Sequence, residues 1–146
     1  MDIYTIGFTK TTAADFFRRL KEARIERLLD VRLNNRSQLA GFAKRDDLKF
    51  FLAELVGAAY EHEPALAPSA ELLDSYKKRR DIAWSEYERR FLDLMAERRI
   101  EEVLDRRSFE RRTVLLCSED TPERCHRRLV IEHLAAHWPG VRAVHL

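Results

Sequence analysis

Residues 113–128 read Thr113-Val114-Leu115-Leu116-Cys117-Ser118-Glu119-Asp120-Thr121-Pro122-Glu123-Arg124-Cys125-His126-Arg127-Arg128. The apolar run Val114–Cys117 is long enough for a buried strand. The chain then turns through residues 118–120 and enters a helix near Pro122. Strand, tight turn and helix start is the arrangement at which open α/β sheets place ligands, because strand ends and helix N-termini meet there. Both cysteines of the chain fall in or beside this turn, with one histidine and three arginines.

Working outward, residues 2–7 alternate and are β-branched or aromatic, as in a first strand. Ala13, Phe16, Phe17 and Leu20 mark one face of a helix over 12–23, capped by Thr9 or Thr11. Ile25 to Arg32 reads as a second strand. Residues 33–46 have no clear period, and a connection of that length is usually functional or mobile. A helix over 46–56 ends at Gly57, and Ala58 to His62 is a short third strand. After a turn-rich connector, Ser69 caps a helix over 70–79. Residues 82–108 read mostly as one long charged helix, 112–117 as strand four, 122–138 as a helix and 141–146 as a last strand. Strands alternating with helices predict a single α/β domain. Its expected form is a Rossmann-like three-layer sandwich with a five-stranded, mostly parallel sheet, strand order 3-2-1-4-5 and helices on both faces. The crevice is expected between strands one and four.

Composition narrows the function classes. The 146 residues suit one domain with its own core. Charged residues make up 36% of the chain, yet the net charge is only +2, so whole-chain charge does not demand nucleic acid. Two cysteines do not form a disulfide scaffold. No apolar run approaches a membrane span, and the N-terminus lacks a signal-peptide pattern. A soluble, cytoplasmic protein without a membrane partner is expected. No cofactor and no oligomeric state is assigned.

Candidate site residues lie at three strand ends: Gly7 and Thr9 after strand one, Asp30 and Arg32 after strand two, Cys117 and Glu119 after strand four. If those strands are neighbours, the ends converge on one pocket. Asp30 and Arg32 share a strand face. They form either a structural ion pair or an anion site in which Asp30 orients Arg32. Gly7 either permits a tight turn or lets a ligand approach the backbone. Arg36, Lys44 and Arg45 flank Phe42, a pattern suited to phosphate and base contacts or to a solvated loop.

Three mechanisms fit Cys117, Cys125, His126 and Arg127. One is catalysis by a Cys117 thiolate, as in cysteine phosphatases and rhodaneses. Against a phosphatase, six residues separate Cys117 from Arg124, one too many, and Glu119 and Asp120 put negative charge in the cradle. The second is metal binding, for which four good ligands are not evident and residues 125 and 126 should diverge on a helix. The third is polar recognition, because cations at a helix start oppose the dipole and call for an anionic partner, either a ligand or the neighbouring Glu119, Asp120 and Glu123, which would make the array structural. In the leading assignment Arg32 and Arg127 clamp an anion, Arg36 joins Gly7, Thr9 and Asp30 as a ligand-binding candidate, and Cys117, Glu119 and His126 are the catalytic candidates.

In combination, Tyr4-Thr5-Ile6-Gly7, Leu29-Asp30-Val31-Arg32, Leu116-Cys117-Ser118-Glu119 and Cys125-His126-Arg127 make the chain resemble the domain-of-unknown-function 488 family. Gly41-Phe42 and the Glu63–Leu66 connector belong to the resemblance. It implies a Rossmann-like domain with one shared pocket and names no reaction. Phe8 stands where many relatives have histidine, and Asn34-Asn35 replace a common proline. The residues thus support binding or processing of a phosphate-bearing small molecule, such as a nucleotide or a nucleic-acid-derived ligand. Alternatives are a non-catalytic nucleic-acid-binding module and a thiol-dependent redox or sulfur-transfer domain.

Overall fold

A computed structural model of the chain describes residues 1–36, 41–119 and 122–146. Its sheet comprises β1 (Asp2–Gly7), β2 (Arg27–Asp30), β3 (Ala59–His62), β4 (Thr113–Cys117) and β5 (Arg142–His145). All four strand pairings are parallel. The helices are α1 (Ala13–Glu22), α2 (Arg45–Phe51), α3 (Ala70–Lys77), α4 (Trp84–Arg98), α5 (Ile100–Val103) and α6 (His126–His137). Among the described residues no helix is long and apolar enough to cross a membrane.

The α/β sandwich is as expected, but the strand order is 3-2-4-1-5, so β4 and not β1 is central. The reason lies in burial. All five residues of β4 are buried, whereas Asp2 and Tyr4 of β1 are only partly covered. A strand flanked on both edges and covered on both faces reads as an unbroken apolar run, and Val114–Cys117 is that run. The adjacency of β1 and β4 holds, with Gly7 level with Cys117. β2 pairs with the other edge of β4, Asp30 level with Leu116.

Two cores follow from the two faces. Phe16, Phe17 and Leu20 of α1 and Leu48 of α2 pack with Ile6, Leu28, Val114 and Leu116 on one face. Phe91 and Met95 of α4 and Leu129, Val130 and Leu134 of α6 pack with Ile3, Leu29, Leu115 and Cys117 on the other. The chain therefore leaves β1 toward one face and β4 toward the other. Their carboxyl ends form the crevice that such a divergence leaves open.

Local boundaries differ where side chains far away decide. Thr12, not Thr9 or Thr11, caps α1, its hydroxyl accepting from the Asp15 N–H at 3.1 Å. Ser69 caps α3 as expected, and Gly57 ends the turn after α2 with φ +77°. The helix expected over 82–108 breaks at Arg99, which has φ +52°. That turn drops the fully buried Ile100 into the core beside Phe91 and Met95. The last helix starts at His126, not 122, because Cys125 is extended, with φ −135° and ψ 138°. The expected loop at residues 37–40 and the turn at Asp120 lie outside the described residues.

Candidate functional site

The carboxyl ends of β2, β4 and β1 open into a cleft of about 790 Å3. Phe8, Thr9, Arg32, Cys117, Ser118, Glu119 and His126 line its floor and near rim. Tyr76 and Lys77 of α3 and Trp84 and Tyr87 of α4 form the opposite wall.

Cys117 is the last residue of β4 and is 4% exposed. Its Sγ lies 3.4 Å from His126 Nδ1. The other ring nitrogen, Nε2, sits 2.8 Å from the Val31 carbonyl. A carbonyl only accepts, so Nε2 carries a proton, and Nδ1 is the atom that exchanges a proton with sulfur. The extended backbone at residue 125 turns Cys125 toward the same point. The sequence expectation that residues 125 and 126 diverge fails for this reason: only one of them is helical. The donor atoms of Cys117, Cys125 and His126 lie within 4.8 Å of one another. These three could hold a soft cation.

Electrostatics separate the two thiols. The S–H of Cys125, then the charges of His126 and Arg127 and the His126 hydrogen bond, outweigh burial and hold the Cys117 thiol well below its usual range. Cys125, buried and facing that thiolate, is pushed well above it. Burial alone would lower the His126 pKa; the Cys117 thiolate outweighs it and leaves it raised. Tyr87 is pushed up by burial first and by the thiolate second, so its phenol stays protonated.

Arg127 is 1% exposed and does not line the cleft. Its Nη1 donates to the Glu119 carbonyl at 2.6 Å and reaches Cys125 Sγ at 3.8 Å, while Nε has no partner. Among the described residues no carboxylate pairs with it. Its positive charge also acts on Cys117, where it helps to lower the thiol pKa. Gly7 is required here. A Cβ on it would meet the Glu119 carbonyl oxygen at 1.4 Å and Arg127 Nη1 at 2.7 Å. Its role is close packing against the loop after β4, since it does not line the cleft. Thr9 does line it, and the Thr9 N–H fastens that same loop by donating to the Ser118 carbonyl at 3.0 Å.

Asp30 and Arg32 form the ion pair read from the sequence, bidentate at 2.9 Å for both contacts. Tyr60 donates to the same carboxylate at 2.5 Å, and Arg32 Nη2 also reaches the Ala43 carbonyl at 2.7 Å. The network pins the loop after β2, and Arg32 still faces the cleft. Glu119 pairs with Lys77 across the cleft. Arg36 is exposed and does not line it. The aromatic wall escaped the sequence reading. Trp84, Tyr87 and Phe91 recur at helical spacing, a signal that fits a core face equally well.

A family model described as "Domain of unknown function DUF488" matches residues 12–134. The chain belongs to the DUF488 family. The matched range holds Asp30, Arg32, Cys117 and the Cys125-His126-Arg127 triplet, and leaves Tyr4–Gly7 outside. DUF488 membership carries no assigned reaction. No curated protein and no solved structure matches the chain significantly.

Proposed function

We propose that the cleft carries out thiol-dependent sulfur transfer on a small anionic sulfur compound, with Cys117 as nucleophile. The supporting observation is the buried triplet of Cys117 Sγ, Cys125 and His126 lining an aromatic-walled cleft. The Cys125 S–H and the His126 Nδ1–H both favour the anion on Cys117. His126 and Arg127 both place positive charge beside the Cys117 thiolate, which favours an anionic reactant.

In the transfer, the Cys117 thiolate attacks the outer sulfur of the donor. A new S–S bond forms, the donor's bond to that sulfur breaks, and the leaving group departs with the electron pair. His126 gives its Nδ1 proton to the leaving group when that group is basic. Cys117 becomes a persulfide, and an acceptor nucleophile removes the outer sulfur and restores the thiolate. Thiosulfate or an alkyl persulfide serves as donor probe, with intact-mass analysis as readout. One added sulfur atom is expected on the parent chain and none on Cys117→Ser. A parent chain that never gains sulfur from either donor rejects sulfur transfer.

A second reading is supported by Arg32, Lys77, Lys78 and Arg124 along the cleft, whose lining also holds Asp74 and Glu119. In it the cleft binds a phosphate-bearing ligand, nucleotide or nucleic-acid-derived, without covalent chemistry. It expects Cys117→Ser to keep a nucleotide-induced rise in melting temperature, whereas sulfur loading needs the thiol.

A further inference from the structure

A second group of donors lies outside the cleft. His133 and His137 are one turn apart on α6, and Glu101 lies on α5. His126 opens α6 at the cleft, so His137 ends it about 16 Å away along the axis. The carboxylate of Glu101 sits between the two imidazoles: His133 Nε2 to Oε2 at 2.7 Å, His137 Nε2 to Oε1 at 3.6 Å. The rings stack, with centroids 4.4 Å apart. The three donor atoms lie within 4.8 Å of one another.

Tautomers make this more than an ion pair. His137 Nδ1 lies 2.9 Å from the His133 carbonyl, which only accepts, so Nδ1 carries a proton. A neutral His137 therefore turns the lone pair of Nε2 toward a carboxylate oxygen. The 3.6 Å between Nε2 and the carboxylate oxygen is too long for a direct hydrogen bond and leaves room for a cation between them. The backbone bond from His137 Nδ1 is also the support that metal-bound imidazoles commonly have. Trp138 adds to it by donating its indole N–H to the Glu101 carbonyl at 3.3 Å, which fixes α5 against the end of α6.

We infer that Glu101, His133 and His137 form a binding site for a zinc-like divalent cation that clips α5 to α6. Tetrahedral zinc with bonds of about 2.0–2.2 Å sets its ligand atoms roughly 3.3–3.6 Å apart. The donor atoms already lie within 4.8 Å of one another, so a cation has to draw the widest separation in by about 1 Å and open the 2.7 Å contact of His133 with Oε2 by less than about 1 Å. Two imidazoles and a carboxylate suit zinc and its late first-row neighbours. His137 is half-exposed, so a fourth position faces solvent and water can fill it.

The test uses the whole chain, stripped with chelator and titrated with Zn2+ in thermal unfolding and with Co2+ in absorption spectroscopy. His137→Ala is the informative variant because the side chain is exposed enough for the fold to tolerate its loss. Zn2+ is expected to raise the melting temperature of the parent, with at least a tenfold weaker apparent affinity for His137→Ala and for Glu101→Gln. Bound Co2+ is expected to show ligand-field bands without thiolate-to-cobalt charge transfer, which separates this site from Cys117 and Cys125. The inference is overturned if Zn2+ leaves the parent unchanged. It is equally overturned if His137→Ala binds like the parent, or if thiolate bands account for all bound cobalt.

Discussion

Replacing Gly7 with alanine tests the closest approach in the molecule. The added Cβ would lie 1.4 Å from the Glu119 carbonyl oxygen and 2.5 Å from its carbon, both backbone atoms that cannot rotate away. Regaining ordinary contact requires the loop after β4 to retreat by about 2 Å. That movement breaks the Arg127–Glu119 bond of 2.6 Å and strains the Thr9–Ser118 bond of 3.0 Å. Losing a charge-assisted bond costs about 1.5–3 kcal/mol and a neutral one about 0.5–1.5 kcal/mol. Overpacking adds roughly 1–3 kcal/mol. Gly7→Ala is therefore expected to destabilise by about 3–7 kcal/mol, lowering the melting temperature by about 10 °C or more for a domain of this size. Urea unfolding measures it, with Gly41→Ala as control, since a Cβ there meets nothing within 4 Å. A Gly7→Ala protein within about 1 kcal/mol of the parent would refute the packing of this loop on β1.

Iodoacetamide reaction of Cys117, followed by mass spectrometry, should titrate with an apparent pKa below the free-thiol value of about 8.5. Because the folded value is depressed, this group stabilises the fold fully above about pH 8.5 and loses that contribution as pH falls through the folded value. Alkylation that titrates like a free thiol would contradict the thiolate. Arg127→Met removes the buried charge and should move that apparent pKa upward; an unchanged profile would show that Arg127 does not act on the thiol. Tyr60→Phe deletes the 2.5 Å bond to Asp30 and should destabilise by about 1.5–3 kcal/mol in urea. No loss there would mean the carboxylate is satisfied without it. Ser69→Ala, removing the cap on Leu72 N–H, should cost about 1 kcal/mol in the same assay.

How far residues announce this architecture depends on the range of the forces involved. The unbroken apolar run Val114–Cys117 marked a buried strand, and three strand ends carrying Gly7, Asp30–Arg32 and Cys117–Glu119 pointed to a common cleft. These are local signals. The order of the strands was not local: β1 and β4 are both apolar enough to be central, and only their relative coverage decides. The partners of the Asp30–Arg32 pair come from 30 residues away at Tyr60 and 11 residues away at Ala43. Convergence of Cys125 and His126 on Cys117 rests on a single extended residue ahead of α6, a choice that helical periodicity does not encode.

The aromatic wall also gives the protein a built-in fluorophore. Trp84 lines the cleft, and its ring stacks on Tyr87 with centroids 5.2 Å apart. The other tryptophan, Trp138, is buried against Phe109 and Glu101 near the far end of α6. Quenching of emission would therefore distinguish events at the two ends of the molecule: a small molecule bound beside Cys117 would dim Trp84, and paramagnetic Co2+ or Cu2+ bound at His137 would dim Trp138.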